Sequence, residues 1–192
     1  NFLKYSNPDE YNKLNNHIKY ISKYWHEGQK NLICDKNFNK HLNIFKTHSA
    51  NLKVGDNIFT NSNLSLGNIY IVRDPREIVL SYSKFRGKTI NETVDLLSSK
   101  GAILLPDKKN TLILMSAWDV HYKSWKMLKV PTLLIKYEDL LYNTNTEILK
   151  IIKFLSKLLK INQNEFNSHI NNVIKSTHIN EFRKYEKNIG FN

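Results

Sequence analysis

The sequence predicts a single α/β domain, with a central parallel β-sheet flanked by helices, and three observations support this prediction. Two short apolar runs, Asn68–Val72 and Thr132–Lys136, are typical of strands buried on both faces of a parallel sheet. The segments between and after them have the three-to-four apolar spacing of amphipathic helices, and strands that alternate with helices indicate parallel pairing. The length of 192 residues suits one domain, so residues 1–192 are predicted to form one.

Each element follows from apolar spacing or from turn residues. Apolar residues three and four apart predict helices, and clusters of Gly, Pro, Asn and Ser predict loops. In chain order we predict a helix over 8–27, a strand over 42–47, a loop over 49–66, a strand over 68–72, a helix over 75–85, a helix over 90–99, a loop around Gly101 and Pro106, a helix over 110–128, a strand over 132–136, helices over 144–159 and 163–176, and a final turn over 179–187.

The charge and the cysteine content exclude several classes of protein. The formal net charge of +12 would suit a polyanionic partner. However, only four of the 29 basic residues are arginines, and the lysines are scattered without a block of five or six. We therefore interpret the charge as a solvated surface and expect no nucleic-acid partner. The sequence has a single cysteine, Cys34, which excludes an intramolecular disulfide framework. It has no run of 18 apolar residues, so no membrane span is predicted.

The strand–turn–helix after residue 68 contains the strongest local signal. Arg73 follows the strand, and ligands of open α/β sheets bind beyond the carboxyl ends of the strands. Asp74 can cap the helix, and Ser81 lies eight residues after Arg73 with a side chain that leans back toward the helix N-terminus. Arg73 and Ser81 could therefore bind one anion, such as a phosphate. Alternatively, Arg73 pairs with Asp74 or Glu77, and Ser81 is an ordinary surface hydroxyl.

The end of the predicted strand at 42–47 is a second candidate site. Lys46 and His48 would share one face of that strand, because alternate residues of a strand point the same way. A cation beside an imidazole suits a site that removes a proton from an acceptor and stabilises negative charge nearby. The alternative is that His48 merely begins a loop. No metal site is expected, because the histidines lack the spacing of a ligand set.

Taken together, these two segments resemble the family of sulfotransferases that use 3′-phosphoadenosine 5′-phosphosulfate (PAPS). Lys46-Thr47-His48 matches the K-T-H of that family, whose histidine is the catalytic base. The segment IYIVRDPREIVLSYSKF is similar to the family's 3′-phosphate segment. The resemblance implies that Arg73 and Ser81 bind the 3′-phosphate. It also implies the P-loop NTPase-like sulfotransferase fold.

Two later segments extend the resemblance to the adenine site. PTLLIKYEDL at 131–140 resembles the family's strand and "YEDL" turn, which implies that Tyr137 lies against the adenine. Lys175–His178 is similar to the segment of the family near the adenine, which implies cofactor-binding roles for Ser176 and Thr177. The family's phosphosulfate loop, Y-P-K-S-G-T-T-W, and its C-terminal R-K-G loop are not found in the 192 residues, and we expect both beyond the ends of the sequence.

The resemblance implies an enzyme that moves a sulfuryl group from PAPS to a hydroxyl or amine and releases PAP. We expect a cytoplasmic location, and a Golgi-lumenal origin is the alternative. His48 would be the general base and Lys46 would stabilise charge on the transferring oxygens, with no metal. The acceptor would be a small molecule, a glycan or a peptide. The alternative is a catalytically inactive domain of the same fold that binds a nucleotide or a polyanion.

Overall fold

The computed structural model describes residues 18–34, 43–104, 112–162 and 166–189. Within these residues it has eight helices and six short strands, in mixed α/β order. In chain order they are α1 (Ile18–Cys34), β1 (Lys53–Val54), β2 (Asn57–Ile58), β3 (Asn68–Val72), α2 (Pro75–Arg86), α3 (Ile90–Ser98), β4 (Ile103–Leu104), β5 (Ile113–Leu114), α4 (Trp118–Lys126), β6 (Thr132–Lys136), α5 (Tyr137–Tyr142), α6 (Thr144–Leu159), α7 (Asn167–Ser176) and α8 (Ile179–Ile189). None of the described helices is long and apolar enough to cross a membrane.

These elements form two compact units. Of the described residues, the first unit contains 18–34, 43–66, 74–104 and 112–130, and the second contains 67–73, 131–162 and 166–189. The boundary between Arg73 and Asp74 falls at the end of β3, so this strand and α2 belong to different units.

The core of the first unit forms where α1 packs against the β1–β2 hairpin. Ile21 and Trp25 of α1 are buried, and Phe59 meets the Trp25 ring edge-on with centroids 5.0 Å apart. Gly55 supplies the turn between β1 and β2 at φ +59°, a conformation that favours glycine. The Gln29 side-chain amide donates to the Phe59 carbonyl over 2.6 Å. This buried contact ties the later turns of α1 to the hairpin.

Capping residues define the ends of helices α2 and α3. The Asp74 carboxylate accepts from the Arg76 backbone N–H over 2.9 Å, which confirms the predicted cap. Hydrogen bonds from the Arg76 side chain are the main cause that lowers the pKa of Asp74 to about 2. Gly87 ends α2 at φ +61°. Thr89 and Glu92 form a reciprocal capping box at the start of α3.

The second unit is built on a parallel pair of strands. β3 and β6 pair in parallel with Ile71 opposite Ile135 and Val72 opposite Lys136. Ile135 is fully buried in this unit. The parallel pairing confirms the predicted α/β class, and the bounds predicted for both strands and for 144–159 agree with the structure.

The two parallel strands are less buried than the sequence predicts. Ile71 is 53% exposed and Leu134 is 45% exposed, so the prediction of strands buried on both faces is wrong. Among the described residues, β3 and β6 pair only with each other. A two-stranded sheet leaves alternate side chains on one face in contact with solvent, which explains the exposure.

Two predicted elements are wrong in the first unit. Residues 43–48 form no strand, and the remaining residue of the predicted 42–47 strand lies outside the described residues. Of the predicted helix over 110–128, residues 110–111 lie outside the described residues, and from 112 onward the helix is confined to α4, because Leu114 pairs with Ile103 and Ser116 takes a left-handed φ of +58°. Pairing with the preceding strand β4 therefore overrides the local helical pattern in the described residues before Trp118.

The remaining differences concern element ends and loops. Helix α1 continues past residue 27 to Cys34, while the start of the predicted 8–27 helix lies outside the described residues. Short strands form inside the predicted loop over 49–66 and after Gly101, whereas Pro106 is outside the described residues. The predicted "YEDL" turn is the helix α5, and the predicted final turn over 179–187 is the helix α8.

Candidate functional site

The predicted base and its neighbouring lysine lie on an exposed segment that leads into a buried turn. Residues 43–48 are exposed, and the chain becomes buried at Ser49, Ala50 and Asn51. Lys46 is near enough to His48 for its positive charge to act on the imidazole. The structure thus brings together the two residues selected from the K-T-H motif, on an irregular segment rather than on a strand.

Helix α4 contacts the main chain at the beginning of this turn. The Nε2 atom of His121 lies 3.3 Å from the backbone carbonyl oxygen of His48. One turn further along, the Trp125 indole N–H donates to the Ser49 carbonyl oxygen over 3.0 Å. Because a carbonyl oxygen only accepts hydrogen bonds, the His121 contact requires a proton on Nε2.

The same face of α4, together with β5, holds the rest of the turn. The Ser124 hydroxyl oxygen accepts from the Asn51 backbone N–H over 2.9 Å. From β5, the Leu114 carbonyl oxygen accepts from the Ala50 N–H over 2.7 Å, and the Leu114 N–H donates to the Ser49 hydroxyl over 3.2 Å. The side chains from α4 lie three and four residues apart and therefore share one helix face. We call these three residues the α4 anchor: His121, Ser124 and Trp125.

The two histidines at this site are both poised to stay neutral near pH 7. Although His48 is exposed as a residue, partial desolvation of its ring lowers the pKa of His48 below the ordinary value of 6.5, and the positive charge of Lys46 lowers it further. Burial is also the main cause that lowers the pKa of His121 below 6.5. A neutral imidazole can accept a proton, so the environment of His48 favours the protonation state that a general base needs.

Arg73 and Tyr137 meet at the carboxyl edge of the parallel strands. Each is the residue that follows the paired positions Val72 and Lys136, so the strand register brings the two next to each other. The guanidinium carbon of Arg73 lies 4.6 Å from the centroid of the Tyr137 ring, and both residues are half-buried. This is a cation–π contact between two residues that the sequence assigns to the nucleotide site.

Ser81 and Arg73 belong to different units. Ser81 is exposed on α2 in the first unit, whereas Arg73 ends β3 in the second. The convergence of these two side chains on one anion therefore stays a prediction. Within the first unit, the Asp74 carboxylate forms an ion pair with Arg76 over 2.6 Å.

Ser176 and Thr177 lie at the C-terminal end of α7 and are exposed. Both hydroxyls donate to the Val173 carbonyl oxygen, over 3.1 Å from Ser176 and 2.7 Å from Thr177. Ser176 also lines a shallow groove between α7 and α8, beside Lys175 and His178. Their hydroxyl protons are thus engaged locally, and their assigned roles in cofactor binding stay predictions.

The sequence did not identify the structural role of the α4 anchor. The sequence contains a stripe of aromatic residues and a histidine at helical spacing, which normally belongs to the core: Trp118, His121, Tyr122 and Trp125. The histidine of this stripe and the serine next to Trp125 are the signal that could have indicated polar contacts to a buried main chain. Their partners lie more than 70 residues away in the sequence, which local spacing does not reveal.

No group of three or more potential metal-ligating side chains occurs in the part of the chain that the structure describes. The model of one protein family, the sulfotransferase domain, matches residues 1–189 of this chain. No curated protein matches the sequence.

Proposed function

The chain belongs to the sulfotransferase domain family, and from this membership we propose that it transfers the sulfuryl group of PAPS to a hydroxyl or amine acceptor. The family supports sulfuryl transfer in general. The single observation that supports a base at His48 is its imidazole, which stays neutral beside Lys46 on a main chain held by the α4 anchor.

His48 accepts the proton of the acceptor as the acceptor oxygen or nitrogen forms a bond to sulfur. The bond between sulfur and the bridging oxygen of the 5′-phosphate breaks, and its electron pair leaves with PAP. One proton thus moves to the imidazole and one negative charge moves to the leaving phosphate. General base catalysis of this kind contributes about 10²- to 10⁴-fold to a rate.

Lys46 serves the same step from two residues before the base. Its ammonium stabilises negative charge on the oxygens of the transferring group, as fixed cations do in phosphoryl transfer. It also keeps His48 neutral by lowering the pKa of the imidazole. Both effects help the same step, because His48 must be deprotonated to accept a proton and the transferring oxygens carry negative charge that the ammonium stabilises.

Arg73 and Ser81 bind the 3′-phosphate, and Tyr137 belongs to the adenosine end of the site. The guanidinium of Arg73 suits a phosphate because it donates several parallel hydrogen bonds from a rigid group. Ser176 and Thr177 belong to the adenine end of the site, where their hydroxyl oxygens can accept hydrogen bonds while their protons are donated to Val173. We therefore assign the 3′-phosphate to Arg73 and Ser81.

A transfer assay with radiolabelled PAPS tests the proposal. Wild-type protein and the His48→Asn variant are incubated with a phenol, a steroid, an amino sugar and a tyrosine peptide, and label on each acceptor is counted. We expect transfer to at least one acceptor by the wild type and a loss of about 10²-fold or more in His48→Asn. His169→Asn, at an exposed histidine of α7, is the matched control.

The same proteins are titrated with PAP and with ADP by calorimetry. PAP binding without transfer to any acceptor would favour the inactive nucleotide-binding domain of the same fold. Full activity in His48→Asn would overturn the assignment of the base. Ser81→Ala is expected to weaken PAP binding and leave ADP binding unchanged, whereas Ser83→Ala, at a buried serine two residues away, changes neither.

A further inference from the structure

We propose that Tyr137 is a positioning residue for Arg73 and that it sets the preference of the site for a nucleotide with a 3′-phosphate. This inference rests on the proposed function, and it changes the role of Tyr137. The family resemblance implies a direct contact between this tyrosine and the adenine. The structure places the Arg73 guanidinium carbon over the ring, 4.6 Å from its centroid.

The backbone fixes both partners of this contact. Register pairing of Val72 with Lys136 brings the next residue of each strand to the same edge of the sheet. Tyr137 is also the first residue of α5, so a strand and a helix meet at its backbone. A tyrosine ring has few rotatable bonds, and its half-buried position limits them further. The ring is therefore a stable surface for a longer and more flexible side chain.

The cation–π contact and a phosphate use different parts of the guanidinium. The ring attracts the delocalised positive charge centred on the guanidinium carbon. A phosphate accepts hydrogen bonds from the N–H groups at the edge of the same planar group. Because the two interactions do not compete, the ring can hold Arg73 before the nucleotide arrives. Less side-chain freedom is then lost on binding.

This role makes a specific prediction about which ligands the ring affects. A ring that stacks on adenine strengthens PAP and ADP alike, because both carry the same base. A ring that positions Arg73 strengthens only the ligand that has a 3′-phosphate. The ratio of the PAP and ADP affinities thus separates positioning of Arg73 from direct contact with the base.

The experiment measures PAP and ADP dissociation constants for six proteins by calorimetry, with competition titrations where binding is weak. The proteins are the wild type, Tyr137→Phe, Tyr137→Leu, Arg73→Ala, the double variant Arg73→Ala with Tyr137→Leu, and Tyr142→Leu. Tyr142, exposed at the end of α5, is the matched control for removal of a tyrosine ring. Circular dichroism and thermal unfolding verify that each protein is folded.

We expect Tyr137→Leu to weaken PAP about tenfold and ADP less than about twofold, as loss of a partly desolvated cation–π contact would do. Tyr137→Phe keeps the ring and should stay within about twofold of the wild type for both ligands. In the Arg73→Ala background, Tyr137→Leu should have almost no further effect on PAP, since the residue through which it acts is gone. Tyr142→Leu should match the wild type.

Two results would overturn the inference, and they differ from failure of the proposed function. Equal weakening of PAP and ADP in Tyr137→Leu would assign the ring to the adenine. Additive effects of the two substitutions on PAP would show that Tyr137 acts independently of Arg73. A wild-type protein that binds PAP no better than ADP would instead remove the 3′-phosphate site itself, and the inference with it.

Discussion

The Nε2 atom of His121 lies 3.3 Å from the carbonyl oxygen of His48, across 73 residues of sequence. The contact joins the fourth residue of α4 to the main chain of the residue that we propose as the base. Because His48 lies on a segment without strand pairing, its carbonyl oxygen contacts a side chain where a β-strand would have a backbone hydrogen bond. This contact restrains the main chain that carries the His48 imidazole.

Replacement of His121 is expected to lower turnover without changing nucleotide binding. His121→Leu removes the hydrogen bond to the His48 carbonyl oxygen, and the loss of about 1 kcal/mol corresponds to about fivefold in kcat. His121→Gln retains an N–H donor near the Nε2 position and should recover most of the rate. The measurement is kcat and KM for PAPS with the best acceptor found. Wild-type turnover in His121→Leu would show that the contact does not position the base.

Replacement of Lys46 is expected to shift the pH dependence of the reaction. A nearby positive charge disfavours the imidazolium, so Lys46 holds the pKa of His48 down, after the larger effect of burial. Lys46→Gln should raise that pKa toward 6.5 and move the acidic limb of the kcat/KM profile to higher pH. The limb should stay below 6.5, because burial of the ring remains.

The control for this shift is Lys53→Gln, at an exposed lysine of β1. It lowers the net charge of the protein by the same amount and should leave the acidic limb in place. An unchanged limb in Lys46→Gln, or an equal shift in both variants, would contradict a local effect of Lys46 on His48.

Ser124 and Ser83 provide a matched test of the α4 anchor. Both serines are buried in helices, 6% and 7% exposed, and both donate to the carbonyl oxygen three residues earlier. Only the Ser124 hydroxyl also accepts from the distant Asn51 N–H, which is buried. Ser124→Ala leaves that N–H without its partner and should lower the free energy of unfolding by about 1–3 kcal/mol.

Ser83→Ala should change the free energy of unfolding by less than about 0.5 kcal/mol, because the Leu80 carbonyl oxygen has its place in the helix ladder. Urea unfolding followed by circular dichroism gives both values. Equal losses in the two variants would mean that the hydrogen bond to Asn51 adds little to stability.

The sequence predicts well those elements that are determined by the residues within the element and by the turn residues on either side of it. The runs at 68–72 and 132–136 are strands with the predicted bounds, because short apolar runs between turn signals have few alternatives. Their parallel pairing, expected from the alternation of strands and helices, is also present. The register itself, with Val72 opposite Lys136, places Arg73 beside Tyr137 and is not contained in the local pattern.

The sequence predicts poorly those segments whose structure is determined by contacts with other parts of the chain. Alternation in LNIFKT suggested a strand, yet no described strand pairs with residues 43–48, and the segment is held instead from its C-terminal side. The pattern before Trp118 was helical, yet β5 pairs with β4 there. In the first case the deciding contacts join residues far apart in the chain, and in the second they join β5 to the preceding strand, with Ile103 opposite Leu114. The periodicity within one segment contains no information about either partner.

The α4 anchor contacts main-chain atoms of residues 48–51. The side chain at position 48 is therefore independent of the contacts that hold its backbone. The contacts from α4 reach the carbonyl oxygens of His48 and Ser49 and the N–H of Asn51, so none of them depends on which side chain stands at position 48. The base that we propose at position 48 can therefore be replaced, for example by a carboxylate, without any change in the helix that presents it. The proposed catalytic role depends on one side chain, whereas the support of the main chain does not.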